Sequence, residues 1–243
     1  MPSGTEMVEL AKTRVGQRYD FVVVPKNNPK WPGPWDCAEF LSWLVYQVSG
    51  TKYLYGCIDN NSDPALADAF TGAWKTDSLV RGARIPVPAA VRTIGGILLR
   101  FPKSGRMGHV ALSDGYGSLL EAHSRKAGVT GDRSPEQRRW DIGILIPGFT
   151  YTETDYEFAG VSPQIYRLGA SAMGSETVKA IQAALQEAGV DPGPIDGIYG
   201  PNTASAVGAF QAQKGLLVDG EVGPETAAIL KIKLSTNQRP TDN

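Results

Sequence analysis

Two thiols and two imidazoles are the most reactive side chains available to this 243-residue chain: Cys37, Cys57, His109 and His123. Cys37 opens the run CAEFLSWLVYQVSG, in which Phe40, Leu41, Leu44, Val45 and Val48 share one helical face, Gly50 closes the segment and Asp36 is placed to cap it. A cysteine at a helix N-terminus meets unpaired backbone N–H groups and the positive end of the helix dipole, and both favour the thiolate. The competing reading of a lone cysteine is a small buried hydrophobe. The company of Cys37 favours chemistry, because His109 follows Gly108 at the head of a short β run and can present its imidazole at a strand end facing the helix start. In such a pair the imidazole takes the thiol proton, sulfur attacks a carbonyl, and the imidazolium then protonates the leaving amine. A third polar group must orient the ring. Along the next strand, residues 119–123, alternation puts Leu119, Glu121 and His123 on one face and Leu120 and Ala122 on the other. A carboxylate at Glu121 would hold the proton on the far ring nitrogen and stabilise the imidazolium, and His123 is the alternative third member.

Other chemistries find little support. No histidine or cysteine cluster has the spacing of metal ligands, and no glycine-rich phosphate loop precedes a helix, so neither a metal nor a cofactor is expected. Cys57 reads as a structural thiol, since a disulfide to Cys37 would abolish the nucleophile. Charged residues are 20% of the chain and cancel to a net charge of −1, which leaves no field for nucleic acid. No apolar run approaches the roughly 18 residues of a spanning helix, so no membrane insertion is expected. Residues 1–10 lack the basic start and apolar centre of a signal peptide, so synthesis in the cytoplasm followed by another export route is expected.

The elements that position these groups form an α+β domain over residues 1–150. A helix over 6–15 stops at Gly16, residues 19–24 (YDFVVV) read as an extended strand, and a proline-rich loop (PKNNPKWPGPW) leads to Asp36. In that loop Trp31 and Trp35 either stack on a sugar or cap the core. A helix is expected near 64–74, followed by five short strands at 97–101, 109–113, 119–123, 128–132 and 142–146, with a hairpin turn at Asp114-Gly115. These make a small antiparallel sheet against the N-terminal helices.

Residues 151–174 read as a linker whose aromatic members Tyr151, Tyr156, Phe158 and Tyr166 suggest partial packing on the first domain. Beyond it lies an internal repeat, in which DGIYGPNT at 196–203 returns as DGEVGPET at 219–226. Each copy reads as a tight Asp-Gly turn followed by a glycine and a proline that enters the first turn of a helix. With an opening helix carrying Val178, Ile181 and Leu185, then faces marked by Val207, Phe210 and Leu230, residues 175–234 form a three-helix bundle, and 235–243 a flexible tail. Residues 195–211 and 219–226 resemble the type 1 peptidoglycan-binding domain, which implies that cell-wall glycan or peptide is the partner. Five basic and eight acidic side chains over 175–243 argue against attraction to anionic wall polymers.

Asp36-Cys37 opening a helix, the run Gly108-His109-Val110-Ala111-Leu112 and the hairpin strand 119–123, with Gly16 and Tyr19 upstream, resemble the NlpC/P60 cysteine peptidases over roughly residues 5–148. The resemblance implies a papain-like hydrolase of wall peptides that commonly cuts a γ-D-glutamyl bond to a diamino acid. It places Cys37, His109 and Glu121 in catalysis, with His123 as the alternative third residue, and Tyr19, Asp36 and Trp35 at the substrate. The chain departs from the usual Asp-Cys-Ser-Gly by reading Asp36-Cys37-Ala38-Glu39, so a serine that helps define the substrate subsite is missing. A monomeric wall hydrolase is expected, either a phage lysin released through a holin or an effector delivered by an injection apparatus. An N-acetylmuramoyl-L-alanine amidase with the same dyad and a degenerate wall-binding protein are the alternatives.

Overall fold

The computed structural model describes all residues except 50–53, 59–62, 82, 104–105, 159–164, 170–174 and 235–243. The expected C-terminal tail and helix-closing Gly50 therefore lie outside the described residues. The chain divides into two compact units, the first made of Met1–Lys103, Met107–Pro135 and Trp140–Ala159.

In the first unit α1 (Gly4–Lys12) starts at a capping box, in which Ser3 Oγ accepts from the Glu6 N–H at 3.2 Å and the Glu6 carboxylate accepts from the Ser3 N–H at 2.9 Å. Asp36 caps α2 (Cys37–Val48), its Oδ1 accepting from the Ala38 and Glu39 N–H groups at 2.9 Å each. A short ladder pairs β1 (Cys57–Ile58) with β2 (Asp68–Ala69). Then come α3 (Thr71–Val80), β3 (Ala83–Ile85), α4 (Val87–Val91) and β4 (Thr93–Ile94). The body of the unit is an antiparallel sheet of β3, β5 (Ile97–Arg100), β6 (His109–Ser113), β7 (Leu119–Ser124), β8 (Gly128–Arg133) and β9 (Ile142–Leu145), in the order β3-β9-β5-β6-β7-β8. A last strand, β10 (Thr152–Glu153), pairs with β4.

Both faces of the central strands are covered, which is why their sequences read as apolar runs rather than clean alternation. Ile97, Leu99, Val110, Leu112, Leu120 and Ala122 pack in one core with Met7 and Ala11 of α1 and Phe40, Leu41 and Leu44 of α2. Leu98, Ala111 and Leu119 pack with Ala90 and Val91 of α4 and with Trp140. Each fully buried leucine contributes roughly 1.5–3 kcal/mol.

Three expectations change. Residues 19–24 do not form a strand: only Tyr19 bridges Trp35, because two of the three residues before Trp35 are prolines with no N–H to extend a ladder. The helix expected near 64–74 begins at Thr71, because tertiary bonds hold the preceding stretch out of helix: the Pro64 carbonyl accepts from the Lys26 N–H, and the Ala69 N–H donates to Glu39. The sheet has a sixth strand, β3, whose short, partly charged sequence gives no periodic signal. The start of the expected linker belongs to the first unit, where the Tyr151 hydroxyl accepts from the Ile146 N–H at 2.6 Å.

The second unit holds α5 (Ser175–Glu187), α6 (Pro201–Gln213) and α7 (Pro224–Leu230) around a core of Val178, Ile181, Leu185, Val207, Phe210 and Leu230. The sequence repeat is a structural repeat built on a buried glutamine that sequence reading missed. Gln182 of α5 donates to Asp196 Oδ1 (2.9 Å), the Ile198 carbonyl and Thr203 Oγ1 (3.2 Å each), and its own oxygen accepts from the Gly197 N–H. Gln211 of α6 does the same one repeat later, donating to Asp219 (2.7 Å), the Glu221 carbonyl (2.9 Å) and Thr226 (3.1 Å) while accepting from the Asp219 and Gly220 N–H groups. Each glutamine ties the Asp-Gly turn to the first turn of the following helix and satisfies polar groups that burial would otherwise strand.

Candidate active site

Cys37 is the first residue of α2 and only 8% exposed. The Val110 N–H hydrogen-bonds its thiol, which sets the sulfur against the start of β6, one residue from His109. Helix-start placement does not make it a thiolate here. Burial pushes the thiol up to about 12, the carboxylates of Asp36 and Glu121 add to the rise, and the Val110 N–H and Arg100 pull only partly back. Loss of hydration and two nearby negative charges outweigh the helix dipole, which contributes typically 0.3–1 kcal/mol.

His109 is fully buried at the head of β6. Its Nε2 lies 2.6 Å from Glu121 Oε2 of the neighbouring strand β7, and its ring centroid is 5.9 Å from that of Trp140. Strand alternation brings the pair together, since both side chains leave the sheet on the face that carries Ala111 and Leu119. With Nε2 committed to Glu121, a proton taken from a thiol goes to Nδ1. His123, also fully buried, is turned differently: its Nδ1 is 3.1 Å from Ser124 Oγ, its Nε2 is 3.9 Å from Glu121 Oε1, and its ring lies 6.4 Å from that of His109. Of the two candidate third residues, Glu121 is the one at hydrogen-bond distance from His109.

Tyr19 and Asp36 adjoin the thiol. Burial raises the Tyr19 phenol well above its usual range, with Cys37 and Asp36 adding to the rise and Arg125 opposing it. Burial likewise pushes Asp36 up to about 7, the Glu39 carboxylate adding to it, while backbone donors and Lys26 oppose it. Trp35 is a correction: it is 0% exposed, its indole N–H donates to Gln17 Oε1 at 2.6 Å, and its ring packs edge-on against Phe40 and Trp43. It caps the core and offers no face to a ligand. Trp31 packs partly buried against the same core. Both cysteines are free, and Cys57 sits in β1 with its thiol 3.6 Å from the Tyr55 carbonyl.

Beneath the site lies an ion pair that sequence reading registered only as an unusual Glu39. Lys26 and Glu39 are both 0% exposed and meet at 2.5 Å. Lys26 Nζ also donates to the carbonyls of Val24 (3.0 Å) and Ala67 (2.6 Å), while Glu39 accepts from the N–H groups of Val24 (2.9 Å) and Ala69 (2.7 Å). Glu39 ties α2 to the segment before it, at Val24 and Lys26, and to β2 at Ala69, while Lys26 Nζ ties those two flanks to each other through the Ala67 carbonyl, so the turn after Cys37 is held from both sides.

Comparison with known proteins locates the second unit in a family. The family model described as "Putative peptidoglycan binding domain" matches residues 174–230. The N-acetylmuramoyl-L-alanine amidase CwlL of Bacillus licheniformis is 41% identical over 76 residues, 29% of this chain and 21% of that protein. An uncharacterized protein of Kitasatospora aureofaciens is 35% identical over 106 residues, 40% of this chain and 90% of that protein. The NlpC/p60 domain of the peptidoglycan hydrolase SagA is a structural match at TM-score 0.41 and 22% identity, covering 59% of this chain and 99% of that domain. The chain spans about a fifth of the length of the curated amidases it matches.

Proposed function

We propose that this chain, whose residues 174–230 belong to the peptidoglycan binding domain family, is a peptidoglycan hydrolase that cuts an amide bond of the wall's stem peptide with Cys37 as nucleophile. The observation that supports the reading best is the 2.6 Å contact between His109 and Glu121, with the thiol that opens α2 hydrogen-bonded to the N–H of Val110, the next residue of β6. At rest Cys37 is a neutral thiol, so His109 acts as a general base during attack: the thiol proton moves to Nδ1 as sulfur bonds to the carbonyl carbon. Glu121 keeps the other ring proton on Nε2 and stabilises the imidazolium. In the first turn of α2, Asp36 already engages the N–H groups of Ala38, Glu39 and Phe40. The Cys37 N–H is the remaining first-turn donor for the tetrahedral oxyanion. The imidazolium then protonates the leaving amine, and water releases the acyl group.

The binding domain raises the local substrate concentration rather than the rate of the chemical step. The bond we favour joins D-glutamate to the diamino acid; the muramoyl–L-alanine amide named for CwlL is the second reading, and mass spectrometry of digested sacculi separates them. Cys37→Ala abolishes turbidity loss of purified sacculi and leaves sedimentation with them unchanged. Near-normal lysis by the folded variant would refute the cysteine mechanism.

A further inference from the structure

Segment 16–20 runs as a strap beside the site and is fixed by main-chain bonds on both sides. Toward the sheet, the Gly16 N–H donates to the Val129 carbonyl and the Val129 N–H to the Gln17 carbonyl, both at 2.9 Å. At Gly128 the β7–β8 turn approaches so closely that a Cβ there would strike the Gln17 carbonyl oxygen. Toward the nucleophile, the Trp35 N–H donates to the Arg18 carbonyl (3.0 Å) and the Asp20 N–H to the Trp35 carbonyl (3.1 Å), two residues before Cys37. The strap thus joins the loop that delivers Cys37 to the turn that follows Glu121 and His123.

One ion pair spans this junction. Arg125, two residues beyond His123, places Nη2 2.7 Å and Nε 3.2 Å from Asp20 Oδ1, with side chains 60% and 41% exposed. Its guanidinium also lies over the ring of Phe21, 5.4 Å from the centroid, and Phe21 is 58% exposed and edge-on to Tyr19 at 5.9 Å. An exposed pair of this kind contributes little to stability. The guanidinium therefore rests between an aspartate and an aromatic face, on the turn that follows the strand of Glu121 and His123.

We propose that Arg125 is a substrate-binding residue, which receives a free carboxylate of the peptide next to the scissile amide in exchange for Asp20. A guanidinium takes a carboxylate through two parallel N–H···O bonds, and a surface aspartate is a partner weak enough to be displaced. Phe21 gives the same substrate an apolar rest beside Tyr19. The ligand class is an acidic peptide with a carboxylate adjoining the amide that Cys37 attacks. The inference rests on the hydrolase reading for the identity of that amide, but binding can be measured without turnover.

The test uses the full chain carrying Cys37→Ala and two synthetic peptides identical except that the residue on the acyl side of the scissile amide bears a free α-carboxylate or its α-amide. Calorimetry is expected to give about tenfold tighter binding of the carboxylate peptide. Adding Arg125→Gln brings the two affinities together, Arg125→Lys keeps part of the preference, and Asp20→Asn widens it by removing the competitor. Equal affinities without the Arg125 change, or a preference that survives Arg125→Gln, would overturn the proposal. With the Cys37 thiol present, a KM preference that disappears in Arg125→Gln is the matching kinetic result. If neither peptide is cleaved while the binding preference holds, the hydrolase reading fails and the carboxylate subsite stands.

Discussion

Lys26→Met exposes how much the site depends on the charge pair beneath it. The substitution removes three bonds from Lys26 Nζ and leaves the Glu39 carboxylate fully buried with two backbone donors, from Val24 and Ala69. Breaking a buried pair by removing one partner costs about 3–5 kcal/mol, because the remaining charge stays desolvated. At roughly 2–4 °C per kcal/mol for a unit of this size, Tm falls by about 6–20 °C. All five tryptophans lie between residues 31 and 140, so fluorescence melting reports on the first unit alone. The loss depends on pH with a definite sign. Burial already raises the Glu39 carboxyl above its ordinary value despite Lys26, and removing Lys26 raises it further. Between the unfolded and folded values the native state then binds the extra proton, so stability falls as pH rises and returns on acidification. The variant should therefore melt closer to wild type at pH 5 than at pH 7.5. The double variant Lys26→Met/Glu39→Leu should recover much of the loss, since an apolar pair strands no charge. A Lys26→Met melt within about 2 °C of wild type at pH 7.5 would refute the account.

The remaining predictions concern the site and the repeat. Glu121→Ala lowers kcat by about 10²–10⁴-fold while His123→Ala costs much less, measured on folded proteins; the reverse order would transfer the orienting role to His123. Glu121→Gln separates the two contributions of the carboxylate, a mild defect meaning that orientation matters more than charge. Asp36→Asn keeps the helix cap but removes a carboxyl held at about 7 in the fold against 3.8 outside it. Wild type binds the extra proton when folded and loses stability as pH rises from about 4 to 7, so the asparagine variant should melt higher at pH 8 and lose that advantage below pH 4. Gln211→Ala should destabilise the second unit by about 2–4 kcal/mol, seen in far-UV dichroism without a matching change in tryptophan fluorescence. Unchanged helix melting would deny the clamp its role.

Elements with a local signal were the ones legible in the sequence. Cys37 at a helix start needed only the spacing of Phe40, Leu41 and Leu44, and His109 and Glu121 needed only alternation on adjacent strands joined by a short turn. What escaped was set by distant partners. Residues 64–70 carry no sign that Lys26 and Glu39 will hold them out of a helix, and Gln182 and Gln211 look like solvent-facing helix polars until the Asp-Gly turns fold onto them. Trp35 could be read either as a ligand platform or as core because composition fixes a residue's surface preference only on average, and the indole bond to Gln17 decides it. The protonation of Cys37 escapes the sequence for a related reason: the helix dipole is visible there, whereas the burial that opposes it arises only when β6 closes over the thiol.

That reversal bears on how the proposed chemistry would run. A thiol held at about 12 is a poor resting nucleophile but a protected one, shielded from oxidation and alkylation until something changes around it. Two of the groups that hold it up, Asp36 and Glu121, are carboxylates whose influence depends on their own protons and partners, and Asp36 titrates close to neutrality. Protonation of Asp36, or its engagement by a positive group of the substrate, removes one negative charge from beside the sulfur and lowers the cost of passing its proton to His109. In this reading substrate binding at Asp36 and activation of Cys37 are one electrostatic event. Alkylation of Cys37 by iodoacetamide should accordingly be faster in Asp36→Asn than in wild type at pH 8, where the native aspartate is charged. Equal rates in the two folded proteins would separate binding from activation.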